Sequence, residues 1–336
     1  MNYPILQVLK DNNLLKCLKR SEEISSQKIE KFHFEKKTPS WAKDTLLLRV
    51  EVWFEGNKKI TLRASAKRRE SMKETWEIMR FLYKKSLNLK SLRIPRPIIY
   101  CEKFNTLIYK EVKGESFVDL LNKGSFLELK ESVKKIGKLL ADLHSLKVKK
   151  DEIRKAKFLK SKGYEKLLLE IGKIFPTFKK LFLKKEDFEF LDKVWEASSF
   201  FIHNDFYPGN IIIGKEKVFA IDFDRSGLGP FEMDLASLIG YFDFPEEIRS
   251  LKLSKNRILE LEKVLFETYA KERGIDKKET EKRVKKFLIK IYLDQLNYYF
   301  NFMLKGWNYM DKEAKKFYTL KLKALLEKTK KQTKNL

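Results

Sequence analysis

Between Lys28 and Ser65 hydrophobic and polar positions alternate with a period of two, in the segments "KIEKFHF", "TLLLRVEVWF" and "KKITLRAS". That alternation is the signature of strands with one buried face, so three strands are expected here. Glu55-Gly56-Asn57 separates the second from the third and reads as a hairpin turn. From Lys67 to Leu87 the period lengthens, with Met72, Trp76, Met79, Phe81 and Leu82 at helical spacing. Two prolines in "IPRPIIYCEKFNTLIYKEV" then mark the entry to two further short strands. A short amphipathic helix over residues 5–20 precedes the whole set, giving β-β-β-α-β-β through Val112.

After Lys113-Gly114 the pattern becomes helical. "SFVDLL" and "LKESVKKIGKLLADLHSL" are amphipathic, the latter with Val133, Ile136, Leu139, Leu140 and Leu143 on one face. Residues 163–195 read as helix interrupted near Pro176, residues 199–224 as strand-rich, and 246–330 as helix throughout. Runs of strands followed by runs of helices predict an α+β architecture. The expected organisation is two-lobed: a small sheet-rich N-lobe over 1–112 and a larger helical C-lobe over 113–336.

Composition narrows the class. Hydrophobic residues make up 43% of the 336, which is globular rather than disordered composition. No apolar run approaches the roughly 20 residues that span a bilayer, so no membrane insertion is expected. Asp11 and Lys10 fall where a signal peptide would keep its apolar core, and a cytoplasmic location is expected. Cys17 and Cys101 lack metal-ligand spacing, and no disulfide framework is expected of them. The net charge of +26 raises the question of a polyanionic partner. Acids recur among the lysines in "KRRESMKETWE", "KKEDFEFLDK" and "KERGIDKKETEKR", however. Mixed charge of this kind makes solvated helix faces rather than a single-sign stripe, so no specific nucleic-acid binding is expected.

The candidate chemistry lies in "FFIHNDFYPGNIII", where two apolar strands flank a polar, turn-rich middle. It places Asp205 and Asn210 across one loop. Further on, "VFAIDFDRSGLGPFEMDLASLI" ends an apolar strand in Asp222, with Asp224 two residues later. Magnesium takes hard oxygen ligands and usually one or two carboxylates from protein, leaving room for phosphates. Phosphoryl transfer also needs a carboxylate for the attacking hydroxyl. Asp205, Asn210 and Asp222 can supply a base, a metal amide and a metal carboxylate, although each segment alone also fits a polar hairpin turn.

In combination, "HNDFYPGN", "IDFD", "MDLA" and the preceding "LLADLHSL" resemble the aminoglycoside phosphotransferase and choline kinase-like family, over roughly residues 28–245. That family shares its fold with protein kinases. The resemblance implies an ATP- and Mg2+-dependent kinase with Asp205 as catalytic base and Asn210 and Asp222 as magnesium ligands. It implies further that His203 braces the catalytic loop and that Asp234 ties it down. In the N-lobe it implies a strand cation on the phosphates, Arg63 or Lys67, held by a helix glutamate, with Glu74 favoured over Glu70 and Glu77. Lys110, Glu111 and Val112 would offer backbone groups to the purine. The loop "EKKTPSWAKD" has no glycine, which leaves Ser40 or lysines to meet the phosphates. His144 reads as packing. Tyr292, Gln295, Tyr299 and Met303 form a helical stripe, with Leu296 alongside, that fits either a core or an acceptor wall. The leading expectation is transfer of the γ-phosphoryl group to a hydroxyl of a sugar, amino-sugar or other small-molecule acceptor. The alternative is a kinase-fold binding protein with weak or no turnover that holds an anionic partner.

Overall fold

The computed structural model describes residues 13–37, 45–67, 71–149, 153–184, 186–242, 253–306 and 309–333. The chain divides into two compact units, Met1–Phe117 with Asn210–Asp224, and Val118–Gly209 with Arg225–Leu336.

The first unit begins with two short helices, α1 (Asn13–Leu18) and α2 (Glu22–Ser25). Strands β1 (Ile29–Lys36), β2 (Thr45–Phe54) and β3 (Lys58–Lys67) follow, then helix α3 (Lys73–Ser86) and strands β4 (Pro97–Cys101) and β5 (Thr106–Lys110). The five strands form one antiparallel sheet in the order β1-β2-β3-β5-β4. At the β2–β3 turn Gly56 and Asn57 have φ of 80° and 62°, the left-handed region that glycine and asparagine tolerate. Alternation does what the sequence pattern predicts. Leu46, Leu48, Val50, Val52 and Phe54 of β2 and Leu62, Ala64 and Ala66 of β3 face one core with Leu14, Cys17, Leu18 and Ile24. The opposite face carries Arg49, Glu51, Arg63 and Lys67.

One expectation is overturned here. Cys17 and Cys101 form a disulfide, with Cα atoms 5.9 Å apart. They are 84 residues apart in sequence. What joins them is the packing of α1 against β4 inside the shared core, which local cysteine spacing does not encode.

The same unit takes in a short three-stranded sheet. β6 (Glu115–Ser116) pairs antiparallel with β8 (Ile211–Ile213), and β8 with β9 (Val218–Ala220). The expected lobe boundary after Val112 places this hairpin with the helices.

The second unit is built from α4 (Phe117–Lys123, its first residue in the sheet unit), α5 (Phe126–His144), α6 (Ser161–Ile174) and α7 (Glu186–Ala197). A 3-10 turn at Pro176–Leu181 separates α6 from α7, at the proline where the helical pattern breaks. A two-stranded ribbon joins β7 (Phe200–Ile202) to β10 (Gly227–Gly229), and helices α8 (Glu232–Phe242), α9 (Lys255–Arg273), α10 (Lys277–Gly306) and α11 (Lys312–Thr333) complete it. Ser125 starts α5 with a capping box, its hydroxyl accepting from Glu128 N while Glu128 reaches back to Ser125 N. Gly137 lets α5 lie close on α9, since a Cβ there would stand 3.1 Å from Thr268 Cβ. Tyr292, Leu296, Tyr299 and Met303 are buried and Gln295 is half-buried, so that stripe of α10 is mostly core. Among the described residues no helix is long and apolar enough to cross a membrane.

Candidate active site

In the helical unit, the site is organised by one buried carboxylate. Asp234, in the first turn of α8, is wholly buried. Its Oδ2 accepts from the His203 backbone N–H at 2.7 Å, and its Oδ1 from the Asn204 N–H at 2.7 Å. His144 Nε2 lies 3.0 Å from Oδ2, and His144 Nδ1 lies 2.9 Å from the Tyr269 hydroxyl. These contacts fit the tautomer in which Nε2–H donates to the carboxylate and Nδ1 accepts from Tyr269. Burial pushes the Tyr269 phenol well above its ordinary value, so it stays a donor. His144 therefore packs, as expected, but it packs as the brace of Asp234.

The loop after β7 turns sharply because Asn204 adopts φ of 62°. Its amide holds that turn by donating to the Lys157 and Arg225 carbonyls at 2.7 and 3.2 Å. Ser226 Oγ donates to the His203 carbonyl at 3.1 Å. His203 is fully buried, whereas Asp205, two residues on, is half-buried. Its carbonyl accepts from Tyr207 N at 3.0 Å. A rigid backbone thus presents one partly exposed carboxylate.

In the sheet unit, Asn210 and Asp222 stand at the two ends of the β8–β9 hairpin, joined by Ile221 N donating to the Asn210 carbonyl at 3.0 Å. Asn210 is buried, and Asp222 is exposed with φ of 64°. Asp224 accepts from Thr75 Oγ1 at 2.9 Å and pairs with Lys67 Nζ. The two candidate cations have different partners. Arg63 Nε lies 2.7 Å from Glu111 Oε1, and Arg49 Nε lies 3.2 Å from Glu111 Oε2. Burial first, then the Asp222 charge, pushes the phenol of Tyr109 upward; Tyr109 sits directly opposite Arg63 in the sheet.

Glu74 is exposed in the first turn of α3. The N–H groups of Lys110 and Glu111 donate to the Arg96 and Thr61 carbonyls at 2.8 and 2.9 Å. Val112 lies just beyond these bonds. Ser40 and the rest of the glycine-free loop, 38–44, lie outside the described residues. Sequence reasoning named neither Asn204 nor Thr75 nor Tyr269 as part of the site. The only local hint among them was an asparagine in a turn-rich stretch.

Among the described residues no group of three or more His, Cys, Asp or Glu could hold a metal by itself. One carboxylate and one amide oxygen on a hairpin make instead the sparse, hard-oxygen set that suits magnesium shared with phosphates.

The model of the phosphotransferase enzyme family (APH) matches residues 43–259, well over half of the chain. The chain belongs to this family. No curated protein matches it at a significant level. Solved structures match along nearly its whole length. A choline kinase from Cryptosporidium parvum Iowa II is 14% identical with a TM-score of 0.59, covering 97% of this chain and 96% of its own. Amicoumacin kinase hAmiN, in complex with AMP-PNP, Ca2+ and Ami, is 13% identical with a TM-score of 0.58 over 96% and 94%. Aminoglycoside phosphotransferase APH(2'')-Ib, ADP-bound, is 16% identical with a TM-score of 0.57 over 96% and 99%. At these identities the likeness establishes the fold, which is the kinase-like α+β fold expected from the sequence. Within the phosphotransferase family match fall the whole Asp205–Asn210 loop, Asp222 and the Asp234 clamp.

Proposed function

We propose that this phosphotransferase is an ATP- and magnesium-dependent small-molecule kinase that passes the γ-phosphoryl group to a hydroxyl of a sugar, amino-sugar or other small metabolite. The observation that carries the reading is the Asp234 clamp, which fixes the backbone of His203 and Asn204 immediately before a partly exposed Asp205. A base must be positioned before it is useful, and a loop held by a buried carboxylate does that.

In this reading Asp205 orients the acceptor hydroxyl and takes its proton. Asn210 Oδ1 and Asp222 would hold magnesium, their hard oxygens leaving room for nucleotide phosphates. The ion, when bound, would neutralise charge on the transferring group. Lys67 and Arg63 line the charged face of the sheet and supply positive charge for the phosphates, Lys67 as a point charge and Arg63 as a fork. The Lys110–Val112 segment offers backbone to the purine, with the Val112 end favoured because the two preceding N–H groups already bond within the sheet unit. The similar solved structures bound to ADP or AMP-PNP support a nucleotide cofactor. We place the enzyme in the cytoplasm with a small-molecule partner and no specific nucleic-acid partner.

The test is turnover of ATP with magnesium against a panel of hydroxylated metabolites, read as ADP release and a phosphorylated product. Phosphorylation of one acceptor is the expected result. Nucleotide binding without turnover on any acceptor would favour the kinase-fold binding protein instead.

A further inference from the structure

Two neighbouring segments, the last residue of β3 and the first turn of α3, meet Asp224 in the stretch just after β9, 149 residues on from Thr75. We propose that Asp224 is a positioning residue for the phosphate- and metal-binding face of the sheet unit, using its two carboxylate oxygens on two different elements. The inference rests on the reading of Asp222 as a metal ligand and adds what holds it.

Oδ1 accepts from Thr75 Oγ1 at 2.9 Å, and Oδ2 pairs with the Lys67 ammonium. The pair is well enclosed, with side-chain exposures of 22% for Lys67 and 13% for Asp224, so water competes weakly for it. The root of the same lysine is pinned separately. Asn105 Nδ2 donates to the Lys67 carbonyl at 2.8 Å, while Asn105 Oδ1 accepts from Met72 N at 2.8 Å. One amide therefore fixes the end of β3 and the approach to α3, and one carboxylate fixes the tips of both. Arg63 is committed differently, to Glu111. The sheet face thus splits its cations, Arg63 toward the Lys110–Val112 segment and Lys67 toward the metal-bearing hairpin.

Asp222 gives this arrangement its purpose. At φ of 64° it occupies a backbone state that a non-glycine residue enters at a cost and keeps only where its surroundings over-determine it. Asp224, two residues on, anchors the chain that must hold that state. When Asp224 lets go, Lys67 and Asp222 lose their fixed spacing, and a magnesium–nucleotide complex that needs both at once should suffer more than the bare nucleotide.

Thermal-shift titrations of ATP, with and without magnesium, on the wild-type chain and on Asp222→Ala, Asp224→Asn, Thr75→Val and Thr75→Ser test this, with circular-dichroism melts reporting folding. Asp224→Asn and Thr75→Val should weaken binding of the magnesium complex about tenfold or more, the worth of a charge-assisted bond, with a clearly smaller effect on ATP alone. Thr75→Ser, which keeps the hydroxyl, should restore it. Should Asp224→Asn not fold, Thr75→Val against Thr75→Ser carries the test. Unchanged magnesium–ATP affinity in Asp224→Asn and Thr75→Val, beside an Asp222→Ala chain that has lost its magnesium dependence, overturns this inference and leaves the proposed function standing. Magnesium dependence that survives in Asp222→Ala, or a wild-type chain that binds no ATP, overturns the metal reading and the inference together.

Discussion

The two halves of the candidate machinery are held by different physics. In the helical unit the loop before Asp205 hangs from Asp234, a wholly buried carboxylate that takes two backbone N–H groups and a histidine. In the sheet unit, apart from the more enclosed Lys67–Asp224 pair, the charged face is a lattice of partly exposed ion pairs, Arg49 and Arg63 on Glu111, Arg49 and Lys59 on Glu51. The first arrangement is expensive to disturb, because each donor left behind is buried without water. The second exchanges partners cheaply, since exposed pairs contribute little and are screened. A catalytic base profits from the first kind of support. A surface that must accept and release a polyphosphate profits from the second.

The comparison can be broken most directly at the base. Asp205→Asn should fold and bind nucleotide like the parent while turnover falls by roughly 10²–10⁴. Wild-type turnover from this variant would remove Asp205 from its assigned role. Next in size is the clamp itself. Asp234→Ala leaves two backbone donors and His144 without their acceptor, and should lower unfolding free energy by about 3–5 kcal/mol, each buried donor left unpaired costing about 1–3 kcal/mol, read in a denaturant melt. A loss below that of a typical surface substitution would show that the loop does not depend on the clamp.

A smaller effect is expected from Glu232, at the start of α8. Burial, opposed in part by Arg283, pushes its carboxyl above the ordinary glutamate range. The folded chain then holds that proton more tightly than the unfolded chain does. The resulting stabilisation is complete below the ordinary glutamate pKa and is lost as pH rises through the raised value. Glu232→Gln should therefore flatten that limb of the melting-temperature profile, and an unaltered limb would assign the pH dependence to other groups. Smallest of all should be Glu111→Gln. Its arginine partners are about one-third exposed, so the cost should stay under about 1 kcal/mol. A loss comparable to that of Asp234→Ala would erase the distinction between the two regions.

Much of this was legible in the chain because it is written locally. Period-two alternation in β2 and β3, the helical spacing in α3 and α5, and the turn residues around Asp205 each depend on neighbours a few positions away. A tether from Asp234 is expected from the family pattern alone; the bonds it accepts from His203 and Asn204 span 31 and 30 residues and have no local signal. What escaped depends on distant partners. Nothing near Cys17 announces Cys101, and nothing near Thr75 announces Asp224, 149 residues on. The Tyr292–Met303 stripe has the same periodicity whether it lines a ligand or a core, and only packing decided it. Arg63 and Lys67 lie on the same face of one strand, so spacing could not divide them; Glu111 and Asp224 do.

The hairpin bearing Asn210 and Asp222 also sets a schedule for synthesis. It completes a unit whose first portion ends at Phe117, yet it emerges only after the stretch from Val118 to Gly209 has been made. A nascent chain halted before Ile211 would present Glu115–Ser116 with no strand to pair with, and Thr75 with no Asp224. Domains ordinarily fold as they leave the ribosome, first portion first. Here the five-stranded sheet is complete by Lys110, but the β6-β8-β9 sheet and the Thr75–Asp224 bond must wait, and no single cut in the polypeptide can release either unit whole.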